Sequence, residues 1–210
     1  FGGNSTIKGL TFTSFDKAID IVSNDNIIDN CIFGFHKNNA TKLNPNNYDV
    51  YIYRGKSNRI ENNFITYSQF AGIKIELSNS NLIRNNAFGA DYKEEICIPN
   101  RIAVTMVSSD SNWIENNSFY GSQKANITLD NSRNNTISFN TIGLNKNGDD
   151  KPIDNQNSKH ESEAGIELIE SSSNFIENND IAGNTLTGLL LNNSDKNKIN
   201  KNNIGFRCYQ

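Results

Sequence analysis

Apolar residues in this chain fall at fixed distances from asparagine. Around Asn112 the order is Asn-Trp-Ile-Glu-Asn-Asn-Ser-Phe, with Ile two places after the first Asn, Asn five on and Phe seven on. The frame returns as Asn58/Ile60/Asn63/Ile65, Asn81/Ile83/Asn86/Phe88, Asn135/Ile137/Asn140/Ile142, Asn174/Ile176/Asn179/Ile181 and Asn197/Ile199/Asn202/Ile204. Two looser copies, Asp25/Ile27/Asn30/Ile32 and Ser5/Ile7/Leu10/Phe12, carry it to the start of the chain. Positions within a copy are numbered 0, 2, 5 and 7 from its first residue. Copies run from end to end, so the repeat is the fold.

An alternating apolar pair precedes most copies: Val50/Ile52, Ile73/Ile75, Val104/Met106, Ile127/Leu129, Ile166/Leu168 and Leu189/Leu191, with Ile19/Ile21 ahead of the second. Period-two alternation marks a strand with one buried face. Each repeat therefore predicts three short strands, at the pair, at position 2 and at position 7. Helical spacing sustained over ten residues is absent.

Strands recurring at this interval suit a coiled solenoid whose coils stack at the parallel-strand spacing of about 4.8 Å. No coil buries its apolar face alone; each needs its neighbours. Asn tolerates a left-handed backbone at a sharp corner, and its amide can bond the same amide one coil along. Position 5, read as Asn in seven of eight copies, is expected to be such a corner ladder.

The Asn-x-Ile-x-x-Asn-x-Ile/Phe repeat resembles the right-handed parallel β-helix repeat family, the architecture of pectate-lyase-like enzymes and many bacterial surface proteins. The resemblance covers nearly the whole chain. It implies an all-β, single-stranded right-handed parallel β-helix of about eight coils, each of roughly 23 residues, with Asn ladders. In pectate-lyase-like relatives, polysaccharide lies in the groove over the strand that carries the alternating pair. The family hosts many functions, so the fold alone does not choose one.

With 210 residues and 35% apolar content, the chain predicts one β-helix domain over 1–210. A globular core would want more apolar residues, but a narrow stack does not. The net charge of −3 is scattered in sign, which argues against a nucleic-acid partner. No apolar run is long enough to span a bilayer, so no membrane insertion is expected. Phe1 falls inside a coil and Gln210 follows the last copy directly, so the domain reads as a segment of a longer protein without its caps. Cys31 at position 6 and Cys97 in a loop read as surface thiols; neither they nor Cys208 forms a metal motif.

Copies start at 5, 25, 58, 81, 112, 135, 174 and 197, so three gaps exceed the base period. The surplus forms loops at about 33–49, 89–102 and 143–165, each after position 7 and before the next alternating pair. All three are expected to leave one corner on every second coil. Solenoids carry function on such loops. His36 lies in the first, Tyr92 in the second, and Asp149, Asp150 and Asp154 in the third. No cofactor is expected; those three acids are weak Ca²⁺ candidates, because their spacing fits neither the EF-hand nor the Gly-Gly-x-Gly-x-Asp pattern.

Outward residues of the strand after the loops form two columns. One is Asp20, Tyr51, Lys74, Thr105, Thr128, Glu167 and Leu190; the other is Tyr53, Glu76, Val107, Asp130, Ile169 and Asn192. Tyr51, Tyr53, Lys74 and Glu76, walled by the loops of His36 and Tyr92, combine flat apolar rings with charges and form the candidate binding site. Lys74, Glu76, Asp130 and Glu167 are the catalytic candidates if the chain is an enzyme. Glu76 and Asp130 stand two coils apart, about 9.5 Å, the wide end of the carboxylate separation that inverting glycosidases use. Clustered aspartates of the polygalacturonase type and the Asp-Pro-His-Asp run of alginate epimerases are absent. Elsewhere Leu82, Trp113 and Phe175 form an outward apolar row, and Glu61, Arg84 and Glu115 a charge ladder.

The expectation is a non-catalytic module, secreted or on the cell surface, binding polysaccharide or a surface protein through the loop edge. The alternatives are a polysaccharide lyase or glycoside hydrolase in the adjoining groove, and a fibre or tailspike segment whose main partner is a further copy of itself.

Overall fold

The computed structural model describes residues 2–36, 39–91, 97–144 and 162–205. Within them the chain winds through three parallel sheets, and each strand pairs with its counterpart one coil earlier and one coil later. The first sheet has eight strands, one around each position 2, from Thr6–Lys8 through Trp113–Glu115 to Lys198–Asn200. The second also has eight, two-residue strands at position 7 from Thr11–Phe12 to Asn203–Ile204. The third has seven longer strands, from Lys17–Ile21 through Tyr48–Tyr53, Ala71–Glu76, Asn100–Val107, Ser122–Asp130 and Ala164–Ile169 to Thr187–Asn192.

The inward columns are made of like on like. Ile60, Ile83, Ile114, Ile137 and Ile176 stack in register at position 2. Val50, Ile73, Val104, Ile127 and Ile166 stack in the third sheet. At position 7 the rings of Phe12 and Phe33 stack at 5.1 Å and those of Phe88 and Phe119 at 4.7 Å. One cluster runs through the solenoid, with almost every member fully buried. Its stability is a sum over neighbouring coils, because each coil touches only the next.

Two asparagine ladders border the first sheet. At position 0, Asn58, Asn81, Asn112 and Asn135 each donate both backbone N–H and Nδ2 to the Oδ1 of the next Asn, at 2.8–3.2 Å. At position 5 the same double bond links Asn63, Asn86, Asn117, Asn140, Asn179 and Asn202. The left-handed backbone lies one residue earlier in both cases, not on the ladder residues. Ser57, Ser80, Ser111 and Asn134 precede position 0, and Asn62, Asn85, Asn116 and Phe139 precede position 5, all with φ near 55°. Corner bending and amide stacking are thus assigned to adjacent residues.

The second copy is shifted by one residue from the sequence expectation. Ile28, not Ile27, pairs with Ile7 and Ile60, and Phe33 with Phe12 and Ile65. Its frame is Asn26/Ile28/Cys31/Phe33. The doublets Asp25-Asn26 and Ile27-Ile28 permit either frame; the Asn26 bond to Asn58 and the Phe12–Phe33 stack select this one. Cys31 therefore occupies ladder position 5, its N–H bonded to Asn63 Oδ1 at 2.8 Å. It is wholly buried, not a surface thiol, and burial pushes its pKa up. Six copies, rather than seven, carry Asn at position 5.

A serine ladder forms a third column, three residues before position 0. Ser78, Ser109, Ser132 and Ser171 each donate N–H to the next serine's Oγ at 3.0–3.1 Å, ending on Ser194. The spacing is visible in the sequence, but a lone serine before each copy reads as an ordinary turn residue.

The insertions leave the corner between the second and third sheets. Each departs at a glycine just after position 7: Gly34, Gly89 and Gly143, with φ of 90°, 80° and 81°. A Cβ there would come within 1.9, 2.7 and 2.0 Å of Thr66 O, Gly121 O and Ala182 O in the next coil. The chain can exit the stack only where no side chain blocks the coil beyond. The first insertion begins with an antiparallel pair, Phe35–His36 with Asn39–Leu43, and buries Phe35. Under the second, Ala87, Ala90, Cys97 and Tyr120 form a small cluster with Phe64. Cys97 is therefore a buried thiol, pushed by burial up to about 12. Tyr92, Asp149, Asp150, Asp154 and Cys208 lie outside the described residues.

Candidate functional site

Three strands, Lys17–Ile21, Tyr48–Tyr53 and Ala71–Glu76, build the outer face of the third sheet next to the first insertion. Register places Tyr51 between Asp20 and Lys74, and Tyr53 beside Glu76. Tyr51 is the hub. Its hydroxyl donates to Glu76 Oε2 at 2.6 Å, and Lys74 Nζ reaches the same oxygen at 2.8 Å. Lys17 Nζ sits 4.1 Å from the centre of the Tyr51 ring, and Lys74 Nζ 5.3 Å. Lys17 is in turn paired with Asp20 at 3.0 Å.

The aromatic group is larger than the two tyrosines named from the alternation. Tyr53 stacks on Tyr51 at 6.5 Å, Tyr48 tilts against Tyr51 at 5.7 Å, and Phe70 tilts against Tyr48 at 5.6 Å. Arg54 lies 5.0 Å from the Tyr53 ring. The spacing of the repeats assigns Tyr48 to the first loop and gives no sign of Phe70, because the corner breaks the period-two rule. Asp49 and Val50 are both buried there, and Tyr48 lies outside with Tyr51. Phe70 is exposed at the corner itself.

The electrostatics follow from these contacts. The Lys74 bond, then that of Tyr51, holds the Glu76 carboxyl below its ordinary pKa. Burial, then the bond to Glu76, pushes the Tyr51 hydroxyl up. Glu76 is thus a fixed carboxylate, poorly suited to give a proton as a general acid.

The four catalytic candidates do not converge. Lys74 and Glu76 form a pair, but Asp130 is two strands from Glu76 and Glu167 three from Lys74 in their columns. Between them stands Thr128, whose buried hydroxyl is the one buried side-chain polar atom among the described residues without a hydrogen-bond partner. His36 belongs to the antiparallel pair at the first insertion and is half-buried. Among the described residues no group of three His, Cys, Asp or Glu side chains is placed to hold a metal. Nor is any helix of the described residues long and apolar enough to cross a membrane.

Three stacked parallel sheets with insertions at one corner define an all-β solenoid of the parallel β-helix class. The family model described as "right handed beta helix region" matches residues 34–149 and 100–207, and the chain belongs to that family. No curated protein matches the sequence. Among solved structures, the A-module of the mannuronan C-5 epimerase AlgE4 from Azotobacter vinelandii is similar, with a TM-score of 0.58 at 13% identity over 97% of this chain and 55% of that one. A mutant of the periplasmic alginate epimerase AlgG gives 0.44 at 12% identity, over 84% of this chain and 50% of that one. The Dettilon tailspike protein gives 0.36 at 14% identity, over 90% and 54%. The chain spans about half the length of these proteins, and the likeness is one of fold.

Proposed function

We propose that this β-helix is a carbohydrate-binding module that takes a polysaccharide chain on the outer face of the third sheet beside the insertions. The cluster of Tyr48, Tyr51, Tyr53 and Phe70, bordered by Lys17, Lys74, Arg54 and Glu76, carries this reading. Rings on a solvated face suit the apolar faces of sugars, and fixed charges suit hydroxyl or carboxylate groups. The module acts outside the cytoplasm, secreted or at the cell surface, where such polymers occur.

The state of Glu76 favours binding over catalysis. A carboxylate committed to Lys74 and Tyr51 is a weak base and no acid, and the other candidate acids stand coils away. The lyase or hydrolase reading remains the alternative because Lys74 lies beside Glu76 on the same face. Tyr53→Ala and Phe70→Ala should each weaken binding on a polysaccharide array about tenfold, the scale of one lost ring contact. Wild-type protein should release neither reducing ends nor unsaturated products from any bound polymer. Product release that Glu76→Gln abolishes would make the chain an enzyme. Absence of binding across a broad panel would leave the fibre segment.

A further inference from the structure

Under the aromatic platform lies an acid that sugar binding does not use. Asp49 follows Tyr48 and is wholly buried. Its Oδ1 accepts from Asn46 Nδ2 at 2.7 Å, and its Oδ2 lies 2.5 Å from Ser68 Oγ. Ser68 Oγ also lies 2.8 Å from Asn100 Oδ1. Both amides are oriented by other bonds. Asn100 Nδ2 donates to Ile65 O while its Oδ1 accepts from Ser68 N; Asn46 Nδ2 donates to Phe12 O while its Oδ1 accepts from Phe15 N.

A serine hydroxyl has one hydrogen, so Ser68 cannot donate to both Asp49 and Asn100. With Asp49 ionised, two acceptor oxygens would face a single hydrogen in a dry corner, at a high desolvation cost. One proton on Asp49 completes the chain: Asp49 donates to Ser68 Oγ, and Ser68 donates to Asn100 Oδ1.

Among the described residues no counter-charge takes the proton's place. Register sets Asp49 between Ala18 and Gly72. The charged groups of those strands, Lys17 with Asp20 and Lys74 with Glu76, pair on the outer face. Asp16, before the first of them, accepts from Asn47, and Arg101, after Asn100, is exposed. The remaining titratable neighbours on its own strand are Tyr48, Tyr51 and Tyr53.

We propose that Asp49 is held as a neutral carboxylic acid and acts as a proton-dependent latch, tying Asn46, Ser68 and Asn100 of three successive coils beneath Tyr48 and Tyr51. Burial raises this carboxyl to about 7, against the opposing effect of the Ser68 and Asn46 bonds. An unfolded Asp titrates near about 3.9. The folded pKa is thus the higher one, so the stabilisation is complete below about pH 4 and is lost as pH rises through about 7. The corner that seats the platform loosens on the alkaline side.

Asp49→Asn tests this, because its amide can donate to Ser68 and accept from Asn46 without titrating. Amide hydrogen exchange, corrected for intrinsic rates, should show protection of the Phe15 and Ser68 N–H groups falling about tenfold in wild type between about pH 6 and 8.5. It should stay level in Asp49→Asn. Infrared difference spectra over the same range should show loss of a protonated carboxylic-acid band that Asp49→Asn lacks. A level wild-type exchange profile, or no such band at about pH 6, overturns the proposal. If Asp49→Asn does not fold, these two wild-type measurements decide it alone. Neither uses a ligand, so the result is independent of the sugar-binding reading.

Discussion

The corners beside the first sheet and the corner between the second and third sheets solve one problem in opposite ways. Beside the first sheet, each coil hands the same amide pair to the next, and the bonds run unbroken from Asn58 to Asn197 and from Asn63 to Asn202. At the other corner, among the described residues, Phe15 is bonded to Asn46, Ser68 to Asn100 and Ser122 to Ser162, and Asp49 links the first two pairs. Those bonds change residue type from one step to the next and do not form a ladder of like on like. Where every coil must satisfy its neighbours on both sides, one residue type is forced at one spacing. Where each step is met by a different residue type, the steps can differ from coil to coil, and an insertion can leave the stack there.

The largest effect is expected on the rigid side of the molecule. Ile137 has no exposed surface and stacks between Ile114 and Ile176. Ile137→Asp would place an unpaired carboxylate in that column, at a cost beyond about 4 kcal/mol. Loss of the cooperative thermal transition, or of soluble protein, is the expected outcome. A melting temperature within a few degrees of wild type would mean that position 2 does not carry the stack.

How much of this was legible follows the same division. The repeated Ile at positions 2 and 7 and the alternating pairs each report a buried column, so the sheets and the two outward columns can be written from the sequence. The second copy slipped because its doublets satisfy two frames, and only contacts with Phe12 and Asn58 distinguish them. The site was half legible. Alternation puts Tyr51 beside Lys74 and Tyr53 beside Glu76, but it cannot say that Lys17 lies on the Tyr51 ring. Asp49 gave no signal at all, because period two assigns it to the solvent side of Val50 and the corner turns it inward.

A smaller effect is expected from truncating a ladder residue. Asn140 Oδ1 accepts from the N–H and Nδ2 of Asn117, while the two hydrogens of its Nδ2 are shared among Ile114 O, Ser138 O and Asn179 Oδ1. Asn140→Ala leaves several of these groups without partners and should cost about 2–3 kcal/mol, read by chemical denaturation. Asn46→Ala, at the irregular corner, would leave Phe15 N–H and Asp49 Oδ1 short of a partner. If the ladder is cooperative along its length, the Asn140 variant should lose more. Equal losses would show that continuity adds nothing to the individual bonds.

The smallest effect expected is a gain. In the column preceding position 5 the left-handed residues are Gly9, Asn30, Asn62, Asn85, Asn116, Phe139, Asn178 and Lys201. Besides glycine, Phe139 and Lys201 are the two members that are not asparagine, and Phe139 is the apolar one: its φ is 56° and it is 58% exposed, so it carries the backbone strain with little burial in return. A side chain without a local hydrogen bond costs about 1–2 kcal/mol in this conformation, and Asn relieves part of that. Phe139→Asn should therefore stabilise the chain by up to about 1 kcal/mol, a rise of about 2–4 °C in a protein of this size. The exposed ring offers little area to lose, which is why the sign is expected to be positive. The reverse change, Asn116→Phe one coil earlier, should lower the melting temperature by a similar amount. A loss in Phe139→Asn would place the ring of Phe139 in a contact worth more than the strain it brings.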